Sequence, residues 1–87
     1  MKIKMHKKFQ KQYKKLPERY KQAVQIAIDH FRNNPFDPVL YNHTLTGEYA
    51  GMRSISAGFD LRLIFIEEDD YSVVVLIKVG SHSQLYR

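Results

Sequence analysis

Apolar positions recur along the chain with two periods, and the change from one to the other marks where helices give way to strands. Residues 2–6 alternate, with Ile3 and Met5 on one side and Lys2, Lys4 and His6 on the other. This predicts a short edge strand whose lysines discourage further pairing. Phe9, Tyr13 and Leu16 follow at i, i+4 and i+7, so residues 8–15 read as an amphipathic helix otherwise made of Lys and Gln. Pro17 ends it and suits the first turn of a second helix, running to about Arg32 with Tyr20, Val24, Ala27, Ile28 and Phe31 as its apolar stripe. Asn33-Asn34-Pro35 and Asp37-Pro38 are breaker chemistry, so residues 33–50 read as an irregular connection. From Gly51 the period becomes two. Residues 51–57, 60–66 and 72–79 predict three strands, joined at Gly58 and at Glu67-Glu68-Asp69-Asp70. The order β-α-α-β-β-β predicts an α+β fold, a helical hairpin packed on one face of a mostly antiparallel four-stranded sheet.

Register decides which polar groups meet. An apolar surface for the helices results if Leu61 faces Val79, Leu63 faces Ile77 and Phe65 faces Val75, and a one-residue slip would turn it outward. That register sets Arg62 opposite Lys78 on the far face and Asp60 level with Gly80, near His82. A hairpin turning about Gly58 would add Arg53 opposite Arg62, with Ser54 and Ser56 near the Asp60 end. Like charges directly opposed destabilise a sheet, so three cations on one face call for an anionic ligand or for neutralisation by Asp60 and the acidic turn. Ile64, Ile66, Val74 and Leu76 extend the far face as an apolar strip, to be covered by a partner or another segment.

The 87 residues suffice for one compact domain, 1–87, in two layers. Lys and Arg number 14 against 9 Asp and Glu, and a net charge of +5 on so small a surface attracts a polyanion. Nucleic acid or an acidic protein would serve, although Lys2, Lys4, Lys7, Lys8, Lys11, Lys14 and Lys15 could equally be a solvated face. With no Cys there is neither a disulfide framework nor a thiolate metal site, and the cytoplasm is the default compartment. No apolar run approaches the roughly 18 residues of a membrane span, and no secretory apolar region follows the first lysines. His43 and His82 lack metal-ligand spacing, and no phosphate-binding glycine loop is present, so no metal or cofactor is expected. His82 lies in a polar tail, residues 80–87, expected not to pack as core. Beside Asp60 its imidazole gains interest, since imidazole exchanges protons near neutral pH.

Four blocks now stand in order: Leu40-Tyr41-Asn42-His43-Thr44-Leu45-Thr46-Gly47, Gly51-Met52-Arg53-Ser54, Asp60-Leu61-Arg62-Leu63-Ile64-Phe65 and Val79-Gly80-Ser81-His82-Ser83-Gln84-Leu85-Tyr86. Together they resemble YafQ-type members of the RelE superfamily, toxins of type II toxin–antitoxin systems. The resemblance implies an enzyme that binds in the ribosomal decoding site and cuts mRNA without a metal, using the ribose 2′-hydroxyl to leave a 2′,3′-cyclic phosphate. It implies a cognate antitoxin as partner. By the same resemblance His82 matches the general acid, and Asp60 and His43 match residues that activate the 2′-hydroxyl or position the RNA. Lys78 stands where the family has an arginine on the scissile phosphate, Arg53 and Arg62 would stabilise its charge, and Tyr86 matches an aromatic that stacks on a base. Ser56 stands where the YafQ pattern has a second histidine and cannot accept a proton at neutral pH, which leaves His43 or Asp60 as base. The related ParE toxins, which poison gyrase, share the fold but usually lack the terminal histidine. A non-catalytic antitoxin-binding protein is the third reading.

Overall fold

The computed structural model describes residues 1–86. Its elements are β1 (Lys2–Met5), α1 (Lys7–Lys14), α2 (Glu18–Asn33), β2 (His43–Thr44), β3 (Arg53–Ser56), β4 (Leu61–Glu68), β5 (Val73–Ser81) and α3 (His82–Leu85). Short 3₁₀ turns at Pro38–Leu40 and Gly47–Tyr49 flank β2. The sheet has five strands in the order β1-β5-β4-β3-β2, with β1 parallel to β5 and the other neighbours antiparallel.

The helices form where the 3.6-residue spacing placed them, and each end has a local cause. His6 caps α1 by accepting the Lys8 backbone N–H on Nδ1 at 3.1 Å. Pro17 precedes α2, and the Asn34-Pro35 pair stops it. Their apolar faces meet one side of the sheet. Phe9, Val24, Ala27, Ile28 and Phe31 pack with Ile55, Leu61, Leu63, Phe65, Val74, Leu76 and Val79 in a single buried cluster. Phe31 meets Phe65 edge-on, with ring centroids 5.0 Å apart. Each such side chain contributes about 1.5–3 kcal/mol by leaving water, and this cluster holds the two layers together. Among the described residues no helix is long and apolar enough to cross a membrane.

The strand pairing corrects three expectations. A fifth strand, β2, lies within the connection read as irregular, where His43 pairs with Ser54 and Thr44 with Arg53. Between β4 and β5, Leu63 faces Val79 and Ile64 faces Lys78, whereas Phe65 faces Leu76, so a bulge near Ile77 inserts one residue into β5. A single inserted residue exchanges the faces of a strand. Val74 and Leu76 therefore join the helix-side core, while Val75 and Ile77, expected there, are only half-buried. The Val79 N–H donates at 2.8 Å to the Gln12 side chain reaching over from α1.

The β3–β4 hairpin also turns later than expected. Gly58, Phe59 and Asp60 all have positive φ, at 78°, 50° and 61°, and the Leu61 N–H donates to the Gly58 carbonyl at 2.7 Å. This three-residue loop, Gly58-Phe59-Asp60, closed by the Ala57 N–H donating to the Leu61 carbonyl at 3.0 Å, sets Ser56, not Arg53, opposite Arg62. Arg53 instead faces Phe65, three places along β4, and an odd shift sends it to the helix side of the sheet. The three-cation ladder does not form: Arg62 pairs with Gly80 and Ser56, and Lys78 with Ile64.

Candidate active site

On the face of the sheet away from α1 and α2, β3 and β4 present Ser54, Ser56, Arg62 and Ile64. Ile64 is fully buried, because the chain itself covers this strip: Tyr49 and Leu85 bury against it, with Leu45, Met52 and Tyr86 around them. Leu85 corrects the expectation that the terminal segment could not pack as core, since it is only 5% exposed. The cover is α3, one turn folded back directly from β5. Ser81 and Gln84 form a capping box that starts it, with the Gln84 N–H donating to Ser81 Oγ at 3.2 Å and the Ser81 N–H to Gln84 Oε1 at 2.8 Å. The fold-back packs closely over Gly80, where a Cβ would lie 3.0 Å from Gln84 Oε1 and 3.4 Å from Leu85 Cδ2.

This folding leaves a cleft of about 300 Å³ lined by His43, Thr44, Leu45, Thr46, Arg62, His82 and Tyr86. A second depression, lined by Tyr41, His43, Ser56 and Arg62, shares two of its walls. His43, Arg62, His82 and Tyr86 thus come together from β2, β4 and α3. The His82 and Tyr86 rings lie 4.7 Å apart. A larger depression of about 500 Å³, between the α1–α2 connection and the tip of the β3–β4 hairpin, contains neither histidine.

The hydrogen bonds give these groups distinct capacities. His43 Nδ1 lies 2.7 Å from the Tyr41 carbonyl oxygen. A carbonyl only accepts, so Nδ1 carries the proton and Nε2 of the neutral ring is a proton acceptor. The Tyr41 carbonyl is aimed by the left-handed backbone of that residue, φ 50°, at the end of the 3₁₀ turn. Arg62 Nη1 donates to Ser56 Oγ at 3.2 Å and to the Leu61 carbonyl at 3.1 Å, and Nη2 lies 3.7 Å from Asp60 Oδ1. A guanidinium has five N–H donors, so these contacts fix its plane and leave capacity for an anion.

Three residues singled out from the sequence lie outside the cleft lining. Asp60 sits on the hairpin turn, mostly exposed, and reaches the cleft through Arg62. Lys78 donates from Nζ to the Tyr49 hydroxyl at 2.9 Å and lies 4.9 Å from that ring's centroid. Arg53 donates from Nε to Asn42 Oδ1 at 2.8 Å and stacks over Phe36. Sequence reasoning passed over Tyr41, 73% exposed at the rim, and Tyr49, buried beneath α3. Neither belongs to a periodic segment that would have drawn attention to it. Ser54 Oγ is buried with no hydrogen-bond partner among the described residues. Nor does any group of three or more His, Cys, Asp or Glu among those residues stand close enough to hold a metal ion.

A helical pair packed on a mostly antiparallel sheet is the architecture of the RelE-like toxins. The family model for YafQ, described as a bacterial toxin of type II toxin–antitoxin systems, matches residues 1–87, and the chain belongs to that family. Escherichia coli YafQ is similar in structure, with a TM-score of 0.82 at 21% identity over 98% of this chain and 97% of that one. A conserved hypothetical protein from Helicobacter pylori gives a TM-score of 0.76 at 25% identity over 99% of each chain. YafQ in the E. coli DinJ–YafQ toxin–antitoxin complex gives 0.78 at 21% identity, over 98% and 96%. No curated protein sequence matches the chain.

Proposed function

We propose that this type II toxin is an endoribonuclease that cuts mRNA on the ribosome by acid–base chemistry without a metal. The observation that carries the reading is that two imidazoles and a guanidinium line one cleft. His43 Nε2 takes the proton of a ribose 2′-hydroxyl, and the freed oxygen attacks the adjacent phosphorus. His82 gives its proton to the 5′-oxygen as the P–O bond to it breaks, leaving a 2′,3′-cyclic phosphate and a 5′-hydroxyl. Each proton transfer contributes about 10²–10⁴ in rate. Arg62 faces the charge that develops on the phosphoryl oxygens, its plane held by Ser56 and Asp60. Ser56, which cannot serve as base, is thereby used as a positioning group, and His43 takes the basic role. Tyr86 offers a ring on which a splayed base stacks. Lys78 reaches phosphate only by leaving Tyr49, and Arg53, on the helix side, takes no part.

An antitoxin follows from the family, and the E. coli DinJ–YafQ complex supports it. The net charge of +5 suits a partner that presents an acidic segment. The test is primer extension on a translated message, with and without ribosomes, comparing wild type with His82→Ala. We expect cuts only with ribosomes and only from wild type, the variant losing about 10²–10⁴ in rate while retaining its melting temperature. Full cleavage by His82→Ala would remove His82 from the mechanism. Growth arrest with intact messages and inhibited gyrase would replace the reading by the ParE one.

A further inference from the structure

The terminal turn α3 carries both His82 and Tyr86, yet four residues cannot hold a helical turn unaided, because nucleation fixes several dihedrals for very few hydrogen bonds. Its start is held by its own capping box. Its end is held from outside. The Tyr49 hydroxyl donates at 2.8 Å to the Leu85 carbonyl, one of the acceptors that the end of a helix leaves unsatisfied. The same hydroxyl oxygen accepts from Lys78 Nζ. An ammonium can only donate, so its presence leaves the phenol's single proton for Leu85. The Tyr49 ring meets Tyr86 edge-on, centroids 5.6 Å apart and planes at 87°, and Tyr86 in turn contacts the His82 ring. Tyr49 is 7% exposed, so its hydroxyl is sheltered from competing water, whereas Tyr86 is half-buried and His82 is exposed.

We propose that Tyr49 is a positioning residue for His82, anchoring α3 so that the imidazole stays in the cleft, and that Lys78 acts through Tyr49 by orienting its hydroxyl. The inference rests on the reading of His82 as proton donor. It assigns the cation at the family's phosphate-binding position to a strut beneath the site.

Tyr49→Phe tests this, because it keeps the ring and removes only the hydroxyl. Single-turnover cleavage of a ribosome-bound message is measured against ribosome concentration, alongside the through-space NMR contacts between the His82 and Tyr86 rings. The saturated rate should fall by about 10- to 100-fold with the half-saturating concentration unchanged, and the ring contacts should weaken. Lys78→Met should give a smaller loss in the same direction. A full saturated rate with native ring contacts in Tyr49→Phe overturns the proposal, as does a defect confined to the half-saturating concentration. If Tyr49→Phe fails to fold, the ring contacts in Lys78→Met decide in the same way. A wild-type chain that does not cleave would defeat the proposed activity, while the ring contacts would still report on the positioning.

Discussion

The two faces of the sheet bury apolar groups on very different scales. On the helix side, Phe9, Val24, Phe31, Leu63, Phe65, Val74 and Leu76 are at most 1% exposed and belong to one continuous cluster. On the far side the buried apolar cluster among the described residues is only Tyr49, Ile64 and Leu85, the last supplied by a single turn of helix, and the cleft lies beside it. The first face supplies most of the folding free energy, and the second holds the polar groups in place with little to spare. Regions with few buried apolar contacts open locally at lower cost than the whole domain unfolds. Stability and chemistry should therefore respond to different substitutions.

Phe65→Ala should have the largest effect on stability. It empties the centre of the helix-side cluster and should cost about 3–5 kcal/mol, a large part of the total for a domain of this size. Denaturant unfolding would register it, with activity lost only in proportion to the folded fraction. An unaltered midpoint would mean that the cluster is not the main source of stability. Leu85→Ala should cost less, about 2 kcal/mol, because the cover over Ile64 is thin and can partly collapse. Hydrogen exchange should quicken in residues 82–86 while residues 24–31 keep their protection. Equal loss in both places would erase the distinction between the faces. Asp60→Asn should change stability by about 0–1 kcal/mol, since the ion pair with Arg62 is exposed. Its effect should appear as a modest fall in cleavage rate at an unchanged melting temperature, and a large fall would mean that Asp60 itself takes part in proton transfer.

The helix-side half of this arrangement was legible in the sequence. The stripe from Tyr20 to Phe31 has a strong helical period, and all of Val24, Ala27, Ile28 and Phe31 are buried as that period implies. The far side was less legible, for particular reasons. Two residues, His43 and Thr44, are too few to show a strand period. Leu85 is one apolar residue in a polar tail, so α3 had no stripe to announce it. The bulge near Ile77 and the turn at Phe59-Asp60 are set by backbone geometry. Phe59 at φ 50° is a conformation that its residue type does not favour. That turn separates Arg53 from Arg62 and brings Ser56 to Arg62 instead. The resemblance marked His43 and His82 individually, and the fold brings both to the lining of one cleft with Arg62.

The central claim is that these two imidazoles divide the proton transfers of an internal attack by the 2′-hydroxyl. Analysis of the RNA ends left by wild type on a translated message tests it most directly. The account requires 2′,3′-cyclic phosphate and 5′-hydroxyl termini, with no such ends produced by His82→Ala. Termini carrying a 3′-hydroxyl and a 5′-phosphate would contradict it, because water and not the ribose would then have attacked the phosphorus.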